Sequence, residues 1–133
     1  MGSKKFLITG ASSDIGKSLL EHLPDGSSVT ALCRRKPVGH KPNSINLTHN
    51  ACDLNDYQSV QKAITKSSNH IDHMVLLAGV SNRFIRFDAL SIEEIEAVLR
   101  VNFFSHVMIL NALSKYVTGS ITVISTNSIK YNG

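Results

Sequence analysis

The stretch Lys5–Gly16, with the sequence KFLITGASSDIG, constrains the fold of this chain most. A short apolar run breaks into small and polar residues, and apolar periodicity resumes at Ile15. This pattern predicts a strand, a tight turn and a helix start. Gly10 and Gly16 flank the turn, where a Cβ would keep the backbone away from a bulky anion, and the positive helix end would point to the same place. The pattern predicts a pyrophosphate site; the alternative is an ordinary strand–loop–helix connection.

Length and composition indicate one soluble domain. The chain has 133 residues, of which 42% are hydrophobic, an ordinary share for a globular protein. We predict that no segment reaches the apolar length of a membrane span and that there is no room for a signal peptide before the first strand. Cys33 and Cys52 are too few for a disulfide framework or a zinc site. We predict one domain over residues 1–133, cytoplasmic, with no metal and no membrane contact.

The positive charge of the chain is concentrated in one run. The net charge is +4, and Arg34, Arg35 and Lys36 stand together, with His40 and Lys41 shortly after. A nucleic-acid-binding protein would spread such charge along a helix face or carry a recognition motif, and the sequence has neither. The run therefore predicts a local anion site and no nucleic acid partner.

Hydrophobic periodicity divides the first half of the chain into alternating strands and helices. We predict a helix over 15–23, a strand over 29–33, a loop over 36–47, a strand over 48–54 and a helix over 57–66. Either Asp53 or Asp56 is suited to cap the second of these helices, because a carboxylate accepts hydrogen bonds from the first N–H groups.

The second half continues the same alternation. A strand over 71–79 is apolar in its latter part, as a buried parallel strand should be. Ser91 and Glu94 form a capping box that opens a helix running to about Tyr116, and Asn102 lies beside its apolar face, where an amide needs a partner. A strand over 119–125 precedes a hydroxyl-rich run, which forms a turn at least as often as a site.

These motifs resemble the short-chain dehydrogenase/reductase (SDR) family. Thr9, Gly10 and Gly16 match its T-G-x-x-x-G-x-G turn, with Asp14 in place of the middle glycine. The Ser-x-Glu-Glu helix start, followed by Arg-Val-Asn102, also matches. The resemblance implies a doubly wound parallel α/β sheet, a Rossmann fold with strand order 3-2-1-4-5, truncated before the last strands.

The resemblance also implies a dinucleotide site. Leu76 and Leu77 replace the asparagines of the family's Asn-Asn-Ala-Gly segment, whose amides brace the sheet. An arginine after the second strand accommodates the 2′-phosphate of NADP, so NADP(H) is favoured over NAD(H); alternatively, the arginines only solvate a strand end. Asp53 and Leu54 would contact adenine. The implied cofactor-binding residues are Gly10, Ser12, Ser13, Asp14, Ile15, Gly16, Arg34, Arg35, Asp53, Leu54, Ala78 and Gly79.

Two residues match catalytic positions of the family. Asn102 would bind a water of the proton relay, or else bond to backbone and lock two elements together. Thr126 stands where a family serine holds the substrate carbonyl, with Ser125 and Ser128 as local rivals. The Tyr-x-x-x-Lys pair that the family uses for acid–base chemistry does not occur in these 133 residues.

The resemblance therefore implies an NADP(H)-dependent oxidoreductase that acts on an alcohol or carbonyl substrate and is a homo-oligomer in its full-length form. Because the tyrosine–lysine helix is missing, we interpret this chain as an N-terminal fragment or a truncated natural product, and we expect it to bind dinucleotide without turnover. The alternative is a non-catalytic dinucleotide-binding or regulatory module. A nucleotide-sugar epimerase would need glycine at position 13, and Ser13 argues against it.

Overall fold

Five parallel strands form one sheet in the order β3-β2-β1-β4-β5, which confirms the predicted doubly wound fold. The computed structural model describes residues 2–38, 44–67, 69–81 and 85–125. The strands are β1 Lys5–Thr9, β2 Ser27–Cys33, β3 Ile45–Ala51, β4 Ile71–Leu76 and β5 Val117–Val123. The helices are α1 Asp14–His22, α2 Tyr57–Thr65, α3 Ile92–Leu99 and α4 Ser105–Leu113.

Side-chain caps fix where the helices begin. Ser13 caps α1 by accepting the Gly16 N–H at 3.1 Å. Asp56, not Asp53, caps α2 by accepting the Gln58 N–H at 2.9 Å. The predicted capping box of Ser91 and Glu94 is present at α3. These bonds satisfy N–H groups that have no partner inside a helix.

Four strands have bounds that differ from the predicted ones, and the first of them, β2, covers 27–33 rather than 29–33. β3 covers 45–51 rather than 48–54, because its register with β2 begins at Ser27 and Ile45 and the chain turns away after Cys52. β4 ends at Leu76 rather than Gly79. β5 covers 117–123 rather than 119–125. Gly119 lies inside β5, and a Cβ there would meet the Asp72 carbonyl oxygen at 2.5 Å, so the close pairing with β4 requires glycine at this position.

The core lies on both faces of the sheet. On one face, Leu7, Leu32 and Met74 pack with residues of α2 and α4. On the other, Ile8 and Val29 pack with residues of α1. Alternate residues of each strand thus reach opposite layers of helices, as both faces of a parallel sheet require.

The predicted helix over 91–116 is interrupted at its centre by a π-helical segment, Arg100–Phe104. Within the described ranges, Ile92–Tyr116 is also long and apolar enough to cross a membrane, by length and composition only. The prediction that no segment reaches that length is therefore wrong. The core helix of a soluble protein passes the same test, and α4 buries Ile109 and Leu113 against the sheet. Apolar residues on its outer side are 44% to 66% exposed: Ile92, Leu99, Phe103, Phe104 and Val107.

Glycine is required where β1 turns into α1. Gly10 has φ +69°, and a Cβ there would lie 2.7 Å from Ala78 N and 2.9 Å from Ala78 Cα. A Cβ on Gly16 would overlap the Gly10 carbonyl oxygen. The loops that follow β1 and β4 therefore touch through backbone atoms.

Gly10→Ala should destabilise the fold more than Gly26→Ala. Both glycines have positive φ, at +69° and +81°, but a Cβ on Gly26 would meet nothing within 4 Å. We expect both variants to lose about 1–2 kcal/mol from backbone strain, and Gly10→Ala to lose about 1–3 kcal/mol more from overpacking against Ala78. Urea unfolding measures the difference, and equal losses would contradict the close approach.

Two buried polar side chains meet where α4 packs on β1. Thr9 is 0% exposed and His106 is 5% exposed, and Thr9 Oγ1 lies 3.5 Å from His106 Nε2. Burial lowers the pKa of His106 below its ordinary value of 6.5, because the charged imidazolium is poorly solvated there. The imidazole is therefore neutral in the folded chain near neutral pH.

Stability should fall in mild acid because of His106. Its pKa is lower in the folded than in the unfolded chain, so the unfolded chain binds the proton more tightly. The contribution of His106 is complete above pH 6.5 and is lost as the pH falls through the folded-state pKa, by at most about 1.4 kcal/mol per pH unit.

Urea unfolding between pH 7.5 and pH 5 should show a shallower pH dependence in His106→Gln than in the parent. His22→Gln is the matched control, because His22 is exposed on α1. An unchanged slope in His106→Gln would contradict the assignment.

Candidate functional site

A cleft of about 410 Å³ opens at the carboxyl ends of the strands. Ligands of open α/β sheets bind at this edge, next to the point where the strand order reverses. The order reverses here between β1 and β4, whose loops border the cleft. Nine of the twelve predicted cofactor residues line it: Gly10, Ser12, Ser13, Arg34, Arg35, Asp53, Leu54, Ala78 and Gly79.

The turn after β1 presents its backbone to the cleft. Ser13 donates its hydroxyl to the Gly10 carbonyl oxygen at 2.7 Å, and its N–H bonds to the same oxygen at 3.0 Å. These bonds hold the turn closed and place the N-terminus of α1 at the cleft. Because Gly10 and Gly16 lack side chains, the turn packs closely on its own backbone and on Ala78, and the positive end of the helix would favour an anion.

Two arginines and a neutral thiol form the part of the cleft beyond β2. Arg34 and Arg35 follow the strand directly and are exposed. Burial raises the pKa of the Cys33 thiol, although hydrogen bonds with Ser12 oppose the shift. The thiol donates to the Arg35 carbonyl oxygen at 3.1 Å. A protonated thiol adds no negative charge, so the positive charge of the arginines is undiminished.

The loop after β3 forms an adjacent wall. Asp53 Oδ1 accepts the Asn55 N–H at 2.9 Å, which fixes the carboxylate, and Leu54 is buried at 7% exposure. Burial raises the pKa of Cys52 to about 11, so this thiol is also neutral. The wall thus offers one carboxylate beside an apolar surface.

The segment after β4 is held from two sides. The Ala78 N–H donates to Thr9 Oγ1 at 3.2 Å. Asn102 accepts the Val80 N–H at 2.8 Å and donates its amide to the Val80 carbonyl oxygen at 2.7 Å. Both ends of the Asn102 amide therefore bind backbone, which is the locking arrangement that the sequence left as an alternative.

Some predicted site residues lie elsewhere. Asp14 is fully exposed with its carboxylate 3.9 Å from Lys17 Nζ, and Ile15 is 65% exposed. Gly16 packs beneath the turn, and Asn102 does not line the cleft itself but binds Val80, which does. Thr126 and Ser128 lie outside the described residues, and Ser125, at the end of the described chain, is exposed.

Other residues line the cleft without a sequence signal of their own. Leu32, Cys33 and Cys52 belong to apolar strand sequence, and Leu77 was noted only as a departure from the family pattern. Ala97 and Val101 reach the cleft from the helix over 92–116. The mutual placement of strand ends and helix, rather than any local motif, brings these residues together.

Solved structures with the same fold are known. A short chain dehydrogenase family protein from Francisella tularensis is 20% identical with a TM-score of 0.79, over 95% of this chain and 52% of its own. Thermoplasma acidophilum aldohexose dehydrogenase is 25% identical with a TM-score of 0.76, over 93% and 49%. An NADH-dependent reductase complexed with NAD is 17% identical with a TM-score of 0.74, over 98% and 62%. The chain thus spans about half to three fifths of the length of these proteins.

A comparison with curated proteins gave no significant match. A family profile described as short chain dehydrogenase matches residues 4–132, nearly the whole sequence. The match spans the glycine turn, the arginine pair and the Asn102 helix that border the cleft. On this match and on its fold, the chain belongs to the short-chain dehydrogenase/reductase family.

Proposed function

We propose that this chain is the dinucleotide-binding part of an NADP(H)-dependent oxidoreductase that transfers hydride between the nicotinamide and an alcohol or carbonyl substrate. The observation that carries the proposal is that the Gly10 turn shares one cleft with Arg34 and Arg35. NADP(H) has two anionic parts, a pyrophosphate for the turn and a 2′-phosphate for the arginines. The cleft volume of about 410 Å³ is in the range of small-molecule sites.

The residues of the chain bind and orient the cofactor, which supplies or accepts the hydride when bound. The backbone of the Gly10 turn and the N-terminus of α1 would hold the pyrophosphate. Asp53 and Leu54 would hold adenine, the carboxylate by accepting from the exocyclic amine and the leucine by apolar contact. Ala78 and Gly79 would lie along the dinucleotide, because small residues let it approach the backbone. Three further residues, which do not line the cleft, are also proposed to contact the cofactor near its pyrophosphate: Asp14, Ile15 and Gly16.

Within this proposal, Arg34 and Arg35 determine the preference for NADP(H) over NAD(H). The similar reductase named above was solved with NAD, so the fold by itself does not select NADP(H). An arginine fork pairs with a phosphate through two charge-assisted hydrogen bonds, whereas the 2′-hydroxyl of NAD prefers an acidic partner. Arg34 and Arg35 stand at the end of β2, and the run of residues 34–36 contains no acidic side chain, which favours NADP(H).

Catalysis would use Asn102 and Thr126 together with a tyrosine and a lysine in a part of the protein beyond this chain. Ile121 and Val123 of β5 are 42% and 49% exposed, and the outer side of the helix over 92–116 is also apolar. We propose that further protein and a second subunit of a homo-oligomer cover these surfaces. The two free, buried thiols suit a cytoplasmic protein.

A non-catalytic dinucleotide-binding module is the second candidate function. The observation that favours it is the Asn102 amide, which is bonded at both ends to Val80 and so has a structural role without any proton relay. This candidate predicts the same cofactor site with no turnover in the native protein.

Replacing both arginines should separate the two cofactors. We expect Arg34→Ala/Arg35→Ala to weaken NADPH binding by about 10- to 100-fold, because charge-assisted bonds to the 2′-phosphate are lost. NADH binding should change by less than about twofold. Lys36→Ala is the matched control, since Lys36 is cationic and exposed but does not line the cleft. Fluorescence titration of the parent and both variants with each cofactor measures these affinities, and equal losses of NADPH and NADH binding in the double variant would contradict the proposed 2′-phosphate site.

The native gene product should distinguish the enzyme from the module. We expect its intact mass to be roughly 25–30 kDa, a usual size for one domain, with NADPH-dependent reduction of carbonyl compounds. A native product of 14.5 kDa that binds NADPH without turnover would support the module instead.

A further inference from the structure

A buried histidine is linked to the cleft through a single hydroxyl. His106 Nε2 lies 3.5 Å from Thr9 Oγ1, and the same oxygen accepts the Ala78 N–H at 3.2 Å. His106 and Thr9 are 5% and 0% exposed, so the contact between them is shielded from bulk water, and the bond from the half-buried Ala78 is partly shielded. The three groups form a chain from α4, across the end of β1, to the loop after β4.

The helix thereby holds the same loop at two points. Asn102 binds Val80 directly, and His106, four residues further along the helix, reaches Ala78 through Thr9. Among the described residues, the side-chain hydrogen bonds to the segment 77–80 come from Thr9 and Asn102. Leu76 and Leu77 add none, because their side chains are apolar.

We propose that His106 is a positioning residue for the dinucleotide, acting through Thr9 to hold the Ala78 backbone at the wall of the cleft. The proposal deepens the proposed function and rests on it for the ligand. Gly10 faces Ala78 across a backbone contact, so a shift of Ala78 changes the width of the cleft where the dinucleotide passes.

The hydrogen-bonding capacity of the groups permits this role. The Thr9 hydroxyl has one proton and two acceptor lone pairs. With the Ala78 N–H on one lone pair, the hydroxyl proton is free to bind a neutral imidazole nitrogen. His106 then fixes the hydroxyl rotor so that its lone pair stays directed at Ala78. Leucine would fill similar space but would leave the rotor unconstrained.

Amide hydrogen exchange tests this link in the full chain without any ligand. We expect exchange at the Ala78 N–H to be about five- to tenfold faster in Thr9→Val and in His106→Leu, as for the loss of one ordinary hydrogen bond. The Val80 N–H, held by Asn102, is the internal control and should not change. Thr9→Ser keeps the hydroxyl and should restore the parent rate. An Ala78 rate in His106→Leu equal to the parent rate would overturn the proposal.

NADPH titration of the same variants tests the effect on the ligand. We expect Thr9→Val and His106→Leu each to weaken binding by about three- to tenfold, and the double variant to lose no more than the larger single loss, because both act through one chain of bonds. Additive losses, or parent-like affinity in both single variants, would overturn the positioning role.

Failure of the proposed function has a different signature. If the parent chain binds neither NADPH nor NADH, the cofactor proposal fails. The exchange test needs no ligand, so a parent-like Ala78 exchange rate in His106→Leu would overturn the link between His106 and Ala78 in either case. Should His106→Leu not fold, His106→Gln takes its place. The glutamine amide can form a hydrogen bond with the Thr9 hydroxyl, so the Ala78 N–H should exchange more slowly in His106→Gln than in Thr9→Val. Equal Ala78 exchange rates in these two variants would overturn the proposal.

Discussion

The backbone contact between Gly10 and Ala78 is the constraint on which the rest of the site depends. A Cβ at Gly10 would lie 2.7 Å from Ala78 N, and one at Gly16 would overlap the Gly10 carbonyl oxygen. Because both positions lack side chains, the turn after β1 folds flat against the loop after β4, and α1 starts at the cleft. Parallel strands bring all their carboxyl ends to this edge, so one tight turn organises the whole cleft.

The charge of the cleft follows from burial as much as from sequence. Two thiols line it, and burial raises the pKa of both Cys33 and Cys52, to about 11 for the latter. Neither thiol is ionised near neutral pH, so Arg34, Arg35 and the N-terminus of α1 give this end of the cleft its positive character. A phosphate-bearing ligand would therefore meet neutral thiols and a positive rim, with one carboxylate, Asp53, at the adjacent wall.

Burial is uneven across the sheet. β1 and β2 are covered on both faces, whereas Ile121 and Val123 of β5 and the outer side of the helix over 92–116 are exposed. A parallel sheet needs cover on both faces. The described part of the chain thus has the proposed cofactor cleft beside an uncovered edge, and it matches about half the length of its solved relatives.

The sequence predicted the strand order through its family resemblance, and it predicted the cap at Ser91 and most cleft residues because capping signals, glycine positions and strand-end charges are local properties. It misplaced β3 and β5, since pairing with β2 and β4 decides where those strands begin and end. The π-helical segment at Asn102 has no local signal, and the sequence indicated only that the Asn102 amide needs a partner, not that the partner is Val80. Only the tertiary structure placed His106 of α4 beside Thr9 of β1, 97 residues away in the chain, because that contact depends on how the helix packs across the sheet.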